Sequence, residues 1–441
     1  MAKASIEECA CDHTTCRAIT LDPAPLPRRL LDCSDPHRVH IIETDGKARG
    51  RYIVLSYVWG GPQPHRTTTS NLSSYIRDGI DSVLLPQTIQ DAIHVARALS
   101  IPLLWFDSLC IIQDSAEDKH RELASMRNVY RHAYITIDVS RATGVTQGFL
   151  QDCRAIESEV ALPFICPSNL RGSRTRVTGS EVPIGKVYLA GSKSHSADTI
   201  PTDGGRLQRA SETGQRGWCL QETLLSARSL IFTSETLQLR CQTRTQNVGG
   251  AAHDGQYDLS RLPDVILLPV RQIERGSDGW REIHRRWYRI VEDYSSRSLT
   301  EPTDKLVACA AIAEMFAPFL GPDYIAGLWR HTLIRDLLWF GTGGDGPPQD
   351  PQQDDHPPSW LWASYDGRVQ YSSCASASES VVRPLAEVLA CTVEPQDDQL
   401  PYGPATPGGV LVLRALLCPC RCYCDHTGAL RDLRVEVEIS T

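Results

Sequence analysis

The sequence predicts an α/β protein built on a parallel sheet with flanking helices, followed by a mainly helical region and a small β-containing C-terminal part. Three observations predict it. Between residues 52 and 139, short β-rich apolar runs alternate with helical periodicity. Two of those runs end in polar clusters, where parallel sheets present their carboxyl ends. From about residue 275 the apolar spacing turns to three-and-four repeats, and from about residue 380 it alternates.

The elements follow in order. Residues 1–45 are polar, contain Cys and are Pro-rich (Pro23, Pro25, Pro27), and are expected to form a loosely structured lead-in. Tyr52-Ile-Val-Leu-Ser-Tyr57 is a buried strand that breaks at Val58-Trp-Gly-Gly-Pro62, which is turn chemistry. Ile89, Ile93, Ala96 and Leu99 share one helix face, with Pro86 suited to the first turn. Leu103-Leu-Trp-Phe-Asp107 is a second strand ending in a carboxylate. Leu123, Met126, Tyr130 and Ala133 stripe a second helix over 117–133, and Tyr134-Ile-Thr-Ile-Asp-Val139 is a third strand.

Residues 151–215 interrupt this pattern with Gly, Ser, Arg and Thr and are expected to be an insertion. Arg216-Gly-Trp-Cys-Leu-Gln-Glu-Thr-Leu-Leu225 is a short helix, followed by strands at 229–232 and 236–241. Three further helical faces come from Trp287, Ile290, Val291 and Tyr294, from Leu306, Ala310, Ala313 and Phe316, and from Trp329, Leu333, Leu337 and Phe340. A Gly, Pro, Asp and Gln linker occupies 341–358. The expected divisions are 1–45, 46–240 with the insertion, 241–365 and 366–441.

Composition narrows the function. Of 441 residues, 41% are hydrophobic and 22% charged, so the chain can bury a core. A net charge of −8 argues against a dedicated nucleic-acid binder. No apolar stretch precedes a cleavage site and none approaches the ~20 residues of a membrane span, so a cytoplasmic protein is expected. There the 16 Cys would stay reduced.

Motif tests are mostly negative. Gly341-Thr-Gly-Gly-Asp-Gly346 fits a dinucleotide fingerprint by letter, but follows a helix and precedes Pro347-Pro348. Gly179 to Lys186 misses the phosphate-loop spacing, and Val187 stands where Ser or Thr must hold magnesium. Cys9, Cys11, His13 and Cys16 form one irregular thiol-imidazole group, and Cys418, Cys420, Cys422, Cys424 and His426 form another. Their spacing departs from the usual paired zinc ligands, so no metal site and no cofactor is assigned, and a non-catalytic assembly or metal-binding regulatory module stays as an alternative reading of the chain.

Several ordered segments together resemble the heterokaryon incompatibility (HET) family of filamentous fungi. Ile53-Val-Leu-Ser-Tyr-Val-Trp-Gly60 resembles its first block. Leu85 to Ile93 and Leu104-Trp-Phe-Asp-Ser-Leu-Cys-Ile-Ile-Gln-Asp114 resemble the second, and Glu122, Met126, Tyr130 and Ala133 match its tail. Arg216-Gly-Trp-Cys-Leu-Gln-Glu222 resembles the third. Val58, Phe106 and Ile112 depart from the usual residues.

The resemblance implies a role in self/non-self recognition and programmed cell death, through incompatibility partner proteins or self-association. The family is remotely similar to TIR domains, which have flavodoxin-like sheets, and some of which cleave NAD. Trp218-Cys-Leu-Gln-Glu222 is similar to the segment carrying the TIR catalytic Glu. The resemblance therefore implies Glu222 as a catalytic carboxylate and NAD as a possible substrate. Ser56, Tyr57, Trp59, Gly60, Asp107, Ser108 and Trp218 would frame it. The same residues admit structural roles: Trp59 and Trp218 as core aromatics, Asp107 as a cap, and Glu222 as an ion-pair partner of Arg216 or Arg228.

Overall fold

A computed structural model describes residues 1–151, 160–165, 184–189, 213–234, 236–249, 261–268, 273–299, 301–342, 357–376, 385–397, 400–406, 408–415, 420–424 and 430–435. Its centre is a nine-stranded mixed sheet. In chain order the strands are β1 (Arg29–Asp32), β2 (Arg38–Glu43), β3 (Ile53–Ser56), β4 (Ile80–Asp81), β5 (Leu103–Trp105), β6 (Ile135–Asp138), β7 (Arg228–Phe232), β8 (Leu237–Cys241) and β9 (Thr245–Asn247). Across the sheet they run β9-β8-β7-β6-β3-β5-β1-β2-β4.

Among the described strands, β7, β6, β3 and β5 pair in parallel, and antiparallel pairings extend the sheet on both sides. The expectation of a parallel sheet therefore holds for its centre and is corrected at its edges. Strand β3 lies between β5 and β6, so the chain adds parallel strands first on one side of β3 and then on the other. That reversal is a topological switch point, where the carboxyl ends of the strands leave a crevice.

Alternation along the central strands sorts the core into two layers. Val54, Leu30 and Trp105 join one cluster, whereas Ile53, Leu55, Leu31, Leu104, Ile135 and Ile137 join the other. Both faces are covered, which is why these strands read as continuous apolar runs. The second cluster receives helix Gln87–Ala98 through Ile89, Ile93 and Ala96. The first receives helix Ala116–His132 through Met126, Val129 and Tyr130. Ser115 caps the latter by accepting from the Asp118 amide at 3.2 Å. Glu117 and Asp118 sit in its first turn and Arg131 and His132 in its last, complementing the helix dipole.

Helix Gly217–Leu225 packs on the same face and is buried at every residue except Trp218. Helices Asp278–Tyr294 and Val307–Leu320 continue that layer outward. Trp287, Ile290, Val291 and Tyr294 from one, and Ile312, Ala313 and Phe316 from the other, belong to one cluster with Leu220 and Leu224. The third expected helical face is corrected. Leu333–Asp336 is a single turn, and Trp339–Gly341 is a strand paired with Val369–Tyr371. Asp336 closes this turn, its buried carboxylate accepting from the Trp329 amide (2.7 Å) and the Tyr288 hydroxyl (2.8 Å).

The expected loose lead-in over 1–45 is also corrected. It forms helices Ala2–Asp12 and Thr14–Ile19 and supplies β1 and β2. Its anchor is Arg29, wholly buried, which ion-pairs with Asp118 and with Glu122 (3.3 Å) and donates to the Cys110 carbonyl (2.7 Å). Burial opposes the Asp118 carboxylate, but the Arg29 hydrogen bond and charge outweigh it and hold Asp118 below its usual range. Burial pushes Glu122 up instead, with Arg29 only partly compensating. Composition could not show this, because the acids that order the segment lie some 90 residues downstream.

The triad yields a stability prediction. Arg29→Ala leaves two buried acids without their cation and should cost about 3–5 kcal/mol, read as a drop in urea midpoint. A loss below about 1 kcal/mol would mean that the triad does not order the N-terminal strands.

Candidate functional site

Four polar side chains leave the carboxyl end of the parallel strands or approach it. Ser56 ends β3 and Asp138 ends β6, and the two are register partners. Asp107 follows β5 and opens the turn Asp107–Cys110. Glu222 comes down from helix Gly217–Leu225 and accepts a short hydrogen bond from Ser56 Oγ. One hydroxyl and three carboxyls thus gather at the carboxyl end of the parallel strands.

Each carboxyl is held differently. Asp107 accepts from the Trp59 indole (2.9 Å), from the Ser108 amide (2.7 Å) and, at 3.2 Å, from the Tyr57 hydroxyl. The Tyr57 hydroxyl also lies 3.0 Å from Ser108 Oγ. Asp107 therefore both secures the turn that follows and orients the loop after β3. Asp138 accepts from Ser140 (2.7 Å) and Thr213 (2.9 Å). Arg216 donates to the Tyr57 carbonyl at 3.2 Å, and its charge favours ionisation of both Glu222 and Asp107.

Burial dominates the electrostatics. It pushes Glu222 up to about 7; the Ser56 hydrogen bond pulls it back, while the charges of Asp107 and Asp138 raise it further. Asp107 is raised by burial against the pull of its Trp59 and Tyr57 bonds, and Asp138 is raised by burial against Ser140 and Thr213. Three neighbouring carboxyls in a dry site cannot all ionise cheaply. The cluster is therefore able to hold and release a proton near neutrality, with Glu222 as the group that does so.

The backbone around it is constrained. Gly60 has φ +68°, and a Cβ there would fall 2.5 Å from Gly144 Cα and 2.8 Å from the Thr143 carbonyl. Only glycine lets the loop after β3 cross the loop after β6 this closely. The crossing is closed by Val145 N donating to the Trp59 carbonyl at 3.3 Å.

Ser56, Tyr57, Trp59, Asp107, Ser108 and Glu222 are brought together as the sequence suggested, and Gly60 shapes the loop beside them. Trp218 is drawn elsewhere: its indole donates to Asp304 at 3.2 Å and packs towards the helical extension. Arg228 is not a partner of Glu222. It lies at the start of β7, donating to the Tyr134 carbonyl at 3.2 Å. Sequence reasoning missed Asp138 and Tyr130. Asp138 carried the same signal as Ser56, a polar residue closing an apolar strand. Tyr130 is core as expected, yet its phenol, raised chiefly by burial, also feels the Glu222 charge.

These features define an α/β domain whose mixed sheet carries a buried, protonatable carboxylate cluster at its switch point. Residues 52–222 match the family described as heterokaryon incompatibility protein (HET). Over 91 residues it is 33% identical to heterokaryon incompatibility protein 6, OR allele, of Neurospora crassa. That stretch is 19% of this chain and only 13% of the relative. No solved structure matches the chain. Among the described residues, no helix is long and apolar enough to cross a membrane.

The Glu222 shift gives a test of the site itself. The unfolded carboxyl ionises near 4.5 and the folded one near 7. The contribution to stability is full below the lower value and lost as pH rises through the upper one, amounting to about 3 kcal/mol at most. Glu222→Gln keeps an acceptor for Ser56 and removes the titration. Its stability relative to the parent should rise between about pH 4 and about pH 8. A difference that stays flat across that range would show that Glu222 ionises normally.

Proposed function

We propose that this protein acts in heterokaryon incompatibility, and that its HET domain is a TIR-like effector that cleaves NAD to drive programmed cell death. The observation that carries the proposal is the Ser56–Glu222 pair beside Asp107 and Trp59 at the switch-point end of the sheet. The likeness to a Neurospora crassa incompatibility protein supports the biological setting, over the short stretch that the two share.

The chemistry suits these residues. Nicotinamide in NAD is a cationic leaving group. The ribose C1′–N bond breaks with its electron pair going to nicotinamide, so no acid is needed to expel it. An ionised Glu222 would stabilise the oxocarbenium-like ribose and take the proton from the water that adds at C1′, giving ADP-ribose. Ser56 positions that carboxylate. Trp59, fixed by its bond to Asp107, offers an aromatic face beside the same loop. Glu222 must be ionised for this step, so activity should rise with pH through about 7. Partner proteins or self-association of the chain would bring the domain to its active state in the cytoplasm.

Incubating the purified full chain with NAD at high protein concentration and following nicotinamide release tests the proposal. Glu222→Gln should lower kcat/KM at least about 100-fold while the protein stays folded. Ser56→Ala should lower kcat and displace the pH profile, because the hydrogen bond that favours the ionised form is gone. If the parent releases no nicotinamide, yet both it and Glu222→Gln kill cells on overexpression, the domain signals by assembly and not by NAD cleavage.

A further inference from the structure

At the opposite end of the sheet, four side chains with no part in the carboxylate cluster converge. Cys9 belongs to helix Ala2–Asp12, and Cys16 to helix Thr14–Ile19. His13 is the extended residue between those helices, and Cys241 ends β8. One ligand atom from each lies within 4.8 Å of all the others. His13 Nδ1 is 3.4 Å from Cys241 Sγ and 3.9 Å from Cys16 Sγ. In a tetrahedral zinc site with ordinary bond lengths, nitrogen and sulfur ligands stand about 3.6 Å apart. The observed separations bracket that value.

We propose that Cys9, His13, Cys16 and Cys241 bind one structural zinc ion. Three features beyond proximity support this. The three cysteines are almost wholly buried and form a cluster of their own, apart from both hydrophobic layers, so apolar packing does not account for their convergence. The surroundings suit thiolates. Arg228 Nε donates to Cys9 Sγ at 3.3 Å and supplies a buried positive charge against a three-thiolate site, and Thr243 Oγ1 lies 3.4 Å from Cys16 Sγ. The Cys241 backbone is fixed as well, its carbonyl accepting from Arg261 Nε at 2.7 Å.

Four protein ligands close the coordination sphere, so the ion would be structural and not catalytic. It would clip the two N-terminal helices to the end of β8. The exposed Cys11, grouped with Cys9, His13 and Cys16 by sequence, takes no part.

Metal analysis of the full chain, purified without chelators, is the direct experiment. About one zinc per chain is expected in the parent and in Cys11→Ser, and below about 0.2 in Cys241→Ser. Cobalt(II) added to metal-stripped parent protein keeps the test valid should Cys241→Ser fail to fold. Tetrahedral thiolate binding gives intense visible absorption, which one equivalent of zinc should abolish. Substoichiometric metal together with no such absorption would overturn the proposal. So would retention of full zinc by a folded Cys241→Ser, or an intact mass showing Cys9, Cys16 or Cys241 joined in a disulfide.

Discussion

The seating of helix Gly217–Leu225 is the constraint on which the rest of this structure depends. The helix lies between the central sheet and the helical extension, so apolar contacts on both sides must coexist with polar groups it cannot expose to water. Glu222 and the residues flanking the helix are satisfied downward, onto the strand ends, whereas the buried Gln221 side chain finds no hydrogen-bond partner among the described residues. Glu222 takes the Ser56 hydroxyl, Ser226 lies 2.6 Å from Thr136, and Arg216 reaches the Tyr57 carbonyl. On the outer side the Gly217 amide donates to the Ser298 carbonyl at 2.9 Å, and Trp218 reaches Asp304. A buried polar group without a partner costs several kcal/mol, so the helix has little freedom to sit elsewhere.

The same logic explains why the site lies where it does. Parallel strands end together, and the switch between β5 and β6 gathers polar side chains at the carboxyl end of a sheet that is covered on both faces. Burying Glu222, Asp107 and Asp138 in that seam raises all three, which the fold tolerates because Arg216, Ser56, Trp59 and Thr213 answer them. Arg29 solves the reverse problem on the other side of β5. There one buried cation faces two acids, and the outcome is a docked N-terminal segment instead of a reactive carboxyl.

Much of this was legible in the chain itself. Strands β3, β5 and β6 and the helices between them appear at nearly their expected limits, because alternation and three-and-four spacing are local signals that burial on two faces reinforces. The convergence of Ser56 and Asp107 was legible too, once the strands were taken as parallel, whereas Glu222 was placed beside them only by the family resemblance. The edges of the sheet were not. Strands β1 and β2 carry ordinary, Pro-flanked sequence, and the Arg29 contacts with Asp118 and Glu122 join residues some 90 positions apart. The end of the turn at Leu333–Asp336 was not legible either, since the partners of Asp336, Trp329 and Tyr288, come from other elements. The cysteines at 418 and 420–424 and His426 lie where the side chains fall outside the described residues.

The sequence by itself determined the α/β alternation, the polar strand ends and the likeness to a known family, since each is written in periodicity or in residues close together. Only the tertiary structure decided which groups meet across long separations. It turned Trp218 towards Asp304, took Arg228 away from Glu222, and brought Cys241 to Cys9, His13 and Cys16. The physical reason is that strand order sets these meetings. Strand β8 returns beside the first residue of β7, and no local pattern around residue 241 records that residues 9–16 will be packed against it.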